Sequence, residues 1–136
     1  MARWLLDANI ISEAVRNPRG ALAARLAGVP DGELCTSVVA AAEMRYGAAR
    51  RGPTKLTDSV NAVLGVLEVA PLEPPVDEVY GALRAGLEAR GRPMGANDLW
   101  IAAHALALGC VLVTDDRGFE GIDGLVVENW LRDGGS

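Results

Sequence analysis

The chain has 136 residues, half of them hydrophobic and about a quarter charged, enough for one domain that buries roughly two thirds of the surface its unfolded form exposes. Its longest apolar runs fall short of the ~18 residues of a membrane span, and a very short apolar run before Asp7 excludes a signal peptide, so a cytoplasmic location is expected. A net charge of −5 argues against nucleic-acid binding by bulk attraction alone and leaves the placement of charge to decide.

In chain order, RWLLD (3–7) reads as a short apolar strand, and NIISEAVRN turns helical until Pro18. A second helix, ALAARLAG, closes at Gly28, and the turn VPDG (29–32) leads into a strand at ELCTS (33–37). VVAAAEMRYGAARR (38–51) follows as a helix, GPT breaks it, and KLTDSVNAVLGVL (55–67) makes another. LEVAPLE (67–73) is a third strand; PVDEVYGALRAGLEARG is an amphipathic helix with Pro75 near its start and Gly91 after its end. After the loop GRPMGA come the apolar helix NDLWIAAHALALG (97–109), a fourth strand at VLVTDD (111–116) and a fifth at LVVENW (125–130). Strands that read as continuous hydrophobic runs between helices imply a parallel sheet covered on both faces. The whole of 1–136 reads as one α/β domain.

Cys35 and Cys110 lie in apolar stretches without C-x-x-C spacing, so they read as buried thiols. His104, the only histidine, falls within the apolar helix and has no nucleophile motif around it, which favours a place in the core or on the helix surface. Basic residues cluster at Arg45, Arg50, Arg51 and Lys55, and again at Arg84, Arg90 and Arg92. They are either solvated helix faces or rims that contact phosphate beside an acidic centre.

In an open parallel sheet the functional crevice lies beyond the carboxyl ends of the strands, where strand order reverses. Asp7 closes the first strand, Asp115 and Asp116 close the fourth, Glu43 sits about 1.5 turns into the helix after the second, and Asp98 opens the apolar helix. Asp7 and Asp98 could instead be helix N-caps, and Asp115 and Asp116 turn residues. Glu43 is harder to assign to structure, because small apolar residues surround it and neither Arg45 nor Arg50 is spaced to pair with it. Two unit charges ~4 Å apart repel by roughly 4 kcal/mol at an effective dielectric near 20, so several converging carboxylates need a cation. Oxygen ligands without His or Cys select Mg²⁺ or Mn²⁺, and such a site can hydrolyse phosphodiesters.

Five segments, LLDANIISE (5–13), TSVVAAAEMRYGA (36–48), ANDLWIAAHALALG (96–109), LVTDDRGF (112–119) and GLVVENW (124–130), together resemble the PIN-domain ribonucleases, specifically VapC-type toxins of bacterial toxin–antitoxin pairs. The resemblance covers nearly the whole chain. It implies a three-layer α/β/α PIN-like domain with a central parallel sheet of four to five strands, and a Mg²⁺- or Mn²⁺-dependent endoribonuclease. Asp7, Glu43 and Asp98 match the family's three core acids and Asp116 the fourth, while Asp115 stands at a variable position. Asn9 and Ser12 match polar residues that orient the first Asp, and Thr114 one that supports the acidic pocket. The resemblance also implies an RNA substrate, a homodimer and a cognate antitoxin that blocks the acidic site, with Arg45, Arg50, Arg51, Lys55 and Arg92 as RNA-binding candidates.

Two other readings compete. A haloacid-dehalogenase-like phosphatase also has an Asp after the first strand and a Ser or Thr after the second (Thr36 or Ser37), but its signature needs a second Asp where this chain has Asn9. It also leaves Glu43 and Asp98 without a role. A catalytically inactive PIN-like binding module is the other, and the presence of all four acids argues against it.

Overall fold

The computed structural model describes residues 3–30, 32–52 and 55–133. Asp31 of the expected VPDG turn and Pro53 and Thr54 of the GPT break lie outside the described residues. Strands β1 (Trp4–Leu6), β2 (Leu34–Ser37), β3 (Glu68–Ala70), β4 (Val111–Val113) and β5 (Val127–Glu128) form one sheet in the order β3-β2-β1-β4-β5, with every pair parallel. Among the described residues the helices are α1 (Ala8–Arg16), α2 (Ala21–Ala27), α3 (Val38–Arg50), α4 (Lys55–Val66), α5 (Val76–Ala89), α6 (Ala96–Leu108) and α7 (Trp130–Asp133), with a 3-10 turn at Arg117–Phe119.

Side-chain alternation along the strands divides the core in two. Leu5, Cys35 and Leu112 face one layer, where Ile101, Ala102 and Ala105 of α6 close over them with Phe119 and Ile122. Leu6 and Val113 face the other, built from α1, α3 and α4 with Leu22 of α2 and Trp130. The architecture is therefore the three-layer α/β/α arrangement expected from the sequence. Burial of every residue from Ile101 to Ala105 explains why α6 carries no charge beyond its first turn. Each large aliphatic side chain removed from water there contributes about 1.5–3 kcal/mol, and the alanines let the helix approach the sheet closely.

The third and fourth strands are shorter than LEVAPLE and VLVTDD, covering only Glu68–Ala70 and Val111–Val113, and expectation and structure part further at two places. LVVENW does not continue as a strand: only Val127 and Glu128 pair with β4, and the Asn129 side chain then accepts from the Leu131 N–H at 2.9 Å to open α7. Trp130 explains the change. It is 2% exposed, packs edge-on to Trp4 with ring centroids 5.7 Å apart, and lies 4.3 Å beneath the Arg25 guanidinium, contacts that draw the chain out of the sheet plane. Nor does Asp98 cap α6. That place is Gly95's, and Asp98 stands in the first turn, where the helix's partial positive charge favours a carboxylate.

The topology fixes where chemistry can occur. From β1 the chain passes to β2 and β3 on one side, then crosses back through α5 and α6 to β4 on the other. The order reverses at β1/β4, and a crevice opens beyond the carboxyl ends of those strands.

Candidate active site

Asp7 leaves β1 at that edge. Its N–H donates to the Val113 carbonyl at 2.9 Å, carrying the β1/β4 pairing one residue further. One carboxylate oxygen accepts from the Ala8 N–H at 2.8 Å, so Asp7 does cap α1; the other accepts from the Thr114 hydroxyl at 2.8 Å. Capping and a place in the crevice are thus combined in one side chain. Glu43, half-buried in the second turn of α3, and Asp98, half-buried in the first turn of α6, come from opposite layers of the molecule. Asp116 follows β4, exposed, with one oxygen accepting from the Gly118 N–H at 2.7 Å.

These four carboxylates stand around the end of β1 and β4 close enough to influence one another, and each of the three buried or half-buried acids feels the charge of at least one other. Burial raises Asp7 above the ordinary Asp range; hydrogen bonds from Thr114 and Ala8 oppose the rise and the Asp116 charge adds to it. Glu43 is raised by burial, then by the charges of Asp7 and Asp98, against a hydrogen bond from Asn97. Asp98 is raised by burial, then by Asp7 and Asp116. Residues 7, 43, 98 and 116, far apart in sequence, are linked through their charges: Glu43 with Asp7 and Asp98, Asp98 with Asp7 and Asp116, and Asp7 with Asp116.

The Thr114 hydroxyl organises the centre. It donates to Asp7 and accepts from the Asn9 side-chain amide at 3.3 Å and from the Asp116 N–H at 3.1 Å, filling its one donor and two acceptor positions. Its own N–H is held by the Glu128 carbonyl at 3.0 Å. The other end of Asn9 accepts from the Asp115 N–H at 3.2 Å. Asp115 turns toward Asn129, whose amide donates to it at 2.6 Å; the charge from this turn that raises Asp7 and Asp98 is that of Asp116.

Ser12 departs from its expected role. Its hydroxyl donates to Met44 Sδ at 3.6 Å rather than orienting Asp7. Five residues on, it has rotated roughly 140° around α1 and climbed about 7.5 Å, out of reach of the cap. The two hydroxyls that a phosphatase would use are also engaged elsewhere: Thr36 donates to the Leu6 carbonyl at 2.7 Å, and Ser37 caps α3 through the Val39 N–H and lies 2.8 Å from His104 Nδ1. His104 is 1% exposed, and burial holds its imidazole below the ordinary His range, which makes it a neutral core group. Cys35 and Cys110 are buried thiols that form no disulfide and hydrogen-bond to each other.

The basic residues divide by partner. Arg45 donates to the Asn61 side chain at 2.7 Å, tying α3 to α4. Arg84 pairs with Glu88 at 3.0 Å along α5. Arg92 donates to the Gly118 carbonyl at 2.9 Å and to that of Glu120, so its guanidinium clasps the turn that carries Asp116. Arg50 lies 5.8 Å from the Tyr46 ring centroid, and both Arg50 and Arg51 line a cleft beside Glu43. Lys55 and Arg90 are exposed. Sequence reasoning did not single out Asn97 or Asn129. Isolated amides beside acids carry no periodic or motif signal, and only the fold reveals that they brace Glu43 and Asp115.

Three carboxylates with raised proton affinities, a fourth acid beside them and no nitrogen or sulfur donor match the preference of a hard divalent cation such as Mg²⁺ or Mn²⁺. Among the described residues no three Asp, Glu, His or Cys side chains form a ready-made cage; the acids ring an open crevice. Carboxylates at the end of β1, on two helices and after β4, at the strand-order reversal, define an acid-cluster α/β domain.

The PIN-domain family model matches residues 4–125, and the chain belongs to that family. Its relatives there are VapC proteins. It is 30% identical to Ribonuclease VapC2 of Haemophilus influenzae over 133 residues, 96% of this chain and 100% of that one. Identity is also 30% over 132 residues with the tRNA(fMet)-specific endonuclease VapC of Shigella flexneri, covering 96% and 99% of the two chains. Among solved structures it superposes with TM-score 0.87 and 29% identity on a chain of the VapBC2 complex of Rickettsia felis bound to a promoter DNA fragment, over 93% of this chain and 98% of that one.

Proposed function

We propose that the protein is a metal-dependent endoribonuclease of the VapC toxin type, held inactive by a cognate antitoxin. The observation that carries the chemistry is the charge-linked set of Asp7, Glu43, Asp98 and Asp116 at the strand-order reversal. Full-length similarity to ribonucleases supports RNA as the substrate, and similarity to toxin–antitoxin complexes supports the antitoxin. A homodimer belongs to the same reading and is checked by sedimentation.

Asp7, Glu43, Asp98 and Asp116 would hold Mg²⁺ or Mn²⁺, which when bound supplies an activated water and neutralises charge on the phosphodiester. Thr114 fixes the Asp7 carboxylate in one rotamer and ties it to the Asp116 backbone. Asn97 braces Glu43, and the Arg92 clasp steadies the Asp116 turn. The apolar cylinder of α6 holds Asp98 rigidly at the crevice, which preorganises the acids before substrate arrives.

The test is to map cleavage ends on total cellular RNA with Mn²⁺ and with EDTA. Discrete internal cuts that vanish with EDTA and with Asp7→Asn are expected. An inactive binding module would bind RNA and leave it whole, and a phosphatase would release phosphate from monoesters and be trapped by beryllofluoride.

A further inference from the structure

A cleft of about 300 Å³ opens beside Glu43, between α1, α3 and α4. We propose that it is the subsite for an unpaired nucleotide of the RNA next to the bond that is cut, the base entering the cleft and its phosphate resting on the arginines at the mouth. This rests on the nuclease reading above.

Three features converge on it. First, the floor is apolar and the mouth cationic: Val15, Met44, Leu56 and Val60 line the inside, while Arg16, Arg50 and Arg51 stand around the opening. Three guanidinium groups beside the acid cluster, in a chain of net charge −5, are where a polyanion crossing the acids would find its counter-charges. None is committed deeply: Arg16 has only an exposed pairing with Glu13 at 3.2 Å, its side chain 68% exposed, and Arg50 and Arg51 are exposed. Surface pairs of that kind are worth little and can be redirected.

Second, Ser12 faces this cleft with its hydroxyl donating to a thioether, a weak acceptor, so a better acceptor on a base edge would draw that proton.

Third, Gly47 lines the cleft from the middle of α3. Its backbone φ is not positive, and a Cβ built there would meet nothing within 4 Å, so the fold has no steric need for glycine. A mid-helix glycine destabilises by about 0.5–1 kcal/mol relative to alanine. Other helical glycines also face open space, but at Gly47 that space is this cleft, one helical turn from Glu43, and a side chain would fill it. An aromatic-sized, partly apolar slot with a phosphate-binding mouth matches how unpaired RNA bases are recognised.

The experiment compares wild type, Gly47→Leu and Arg51→Ala, all with Mn²⁺, on two probes. One is a set of single-stranded oligoribonucleotides varied at the positions flanking the cut; the other is bis(p-nitrophenyl) phosphate, a diester with no flanking nucleotide and no second phosphate for the arginines. Gly47→Leu is expected to raise KM for the oligoribonucleotides at least tenfold and redistribute the cut positions, with hydrolysis of the small diester unchanged. Arg51→Ala is expected to raise KM several-fold and to make binding less sensitive to salt. Gly47→Ala, with helix propensity improved, should keep the wild-type cut positions.

Unchanged KM and cut positions in Gly47→Leu and Arg51→Ala would overturn the subsite and leave the cleft to a protein partner such as the antitoxin. Equal loss of Gly47→Leu activity on both probes, with Arg51→Ala unchanged, would also overturn it, because the leucine would then be disturbing Glu43. Failure of the wild type on both probes defeats the nuclease reading itself and the subsite with it.

Discussion

The Thr114 hydroxyl joins the end of β1 and start of α1 to the turn after β4, its one proton going to Asp7 and its two lone pairs to the Asn9 amide and the Asp116 N–H. Thr114→Val keeps the side-chain volume and removes all three bonds. Asp7 then loses the donor that opposes its burial, and the Asp116 N–H loses its acceptor. Loss of such outer partners typically weakens metal affinity or activity 10–100-fold. A loss within that range in Mn²⁺ affinity by calorimetry and in RNA cleavage is expected, with Thr114→Ser recovering most of both. If Thr114→Val binds Mn²⁺ as wild type does, the hydroxyl has no part in holding Asp7. Ser37 makes the complementary case for stability: it caps α3 and contacts His104, so Ser37→Ala should cost about 1 kcal/mol from the cap, read as a lower denaturant midpoint with unchanged m-value.

At the scale of elements, the 3-10 turn at Arg117–Phe119 depends on two holds, Phe119 buried beneath it and the Arg92 guanidinium bonded to the carbonyls of Gly118 and Glu120. Hydrogen bonds from a charged donor contribute about 1.5–3 kcal/mol each, and the partial exposure of Arg92 places this pair at the low end. Arg92→Ala should therefore lower Tm by several degrees and cleavage by several-fold through looser placement of Asp116; thermal scans beside single-turnover rates check this, and an Arg92→Ala protein with wild-type Tm and only a shifted salt dependence would return Arg92 to the RNA-binding rim. That Arg92 reaches across to residues 118 and 120 had no trace in the sequence, because nothing in GRPMGA specifies which loop it meets. The elements themselves were legible: apolar runs mark β1, β2 and α1 to α6 closely, while β3 and β4 were read about twice as long as the three residues each pairs. The fifth strand was overextended because LVVENW is apolar enough to read as a strand throughout, while the tertiary contacts of Trp130 with Trp4 and Arg25 decide otherwise. Of the candidate site, Asp7, Glu43 and Asp98 could be placed near the crevice from their positions relative to the strand ends, while Asp116 was told apart from Asp115 only by the family resemblance. Ser12 could not, since its partner depends on the packing of α1 against α3.

Across the whole molecule, the acid cluster ties the stability of the fold to protons and to metal. Asp7, Glu43 and Asp98 all have native proton affinities above their ordinary values, chiefly through burial and then through the charges of neighbouring acids, Asp116 among them. A carboxyl with a raised native pKa binds its proton more tightly folded than unfolded. Its stabilising contribution is complete below the unfolded pKa and is lost as pH rises through the native one. At neutral pH, therefore, the metal-free protein carries the full cost of keeping these groups ionised together. In EDTA, acidifying from neutral into the window just above the usual carboxylate range should raise Tm before general acid unfolding begins. Asp98→Asn should flatten that rise. Asp7→Asn should do the same while keeping the helix start, since Asn caps about as well as Asp; its single carbonyl oxygen keeps the Ala8 bond, and the Thr114 hydroxyl then faces an NH2 that cannot accept from it. Mn²⁺ should act on the same ledger from the other side, because an ion that binds only the native state at 100 times its Kd stabilises by about 2.7 kcal/mol. That shift should be largest in wild type at neutral pH, shrink as the acids protonate, and be smaller in either variant. Differential scanning calorimetry across pH, with and without Mn²⁺, measures all of these together. A wild-type Tm that only falls on acidification, with the same slope in Asp7→Asn and Asp98→Asn, would mean that the carboxylates do not oppose one another in solution, and the metal site would lose its physical basis.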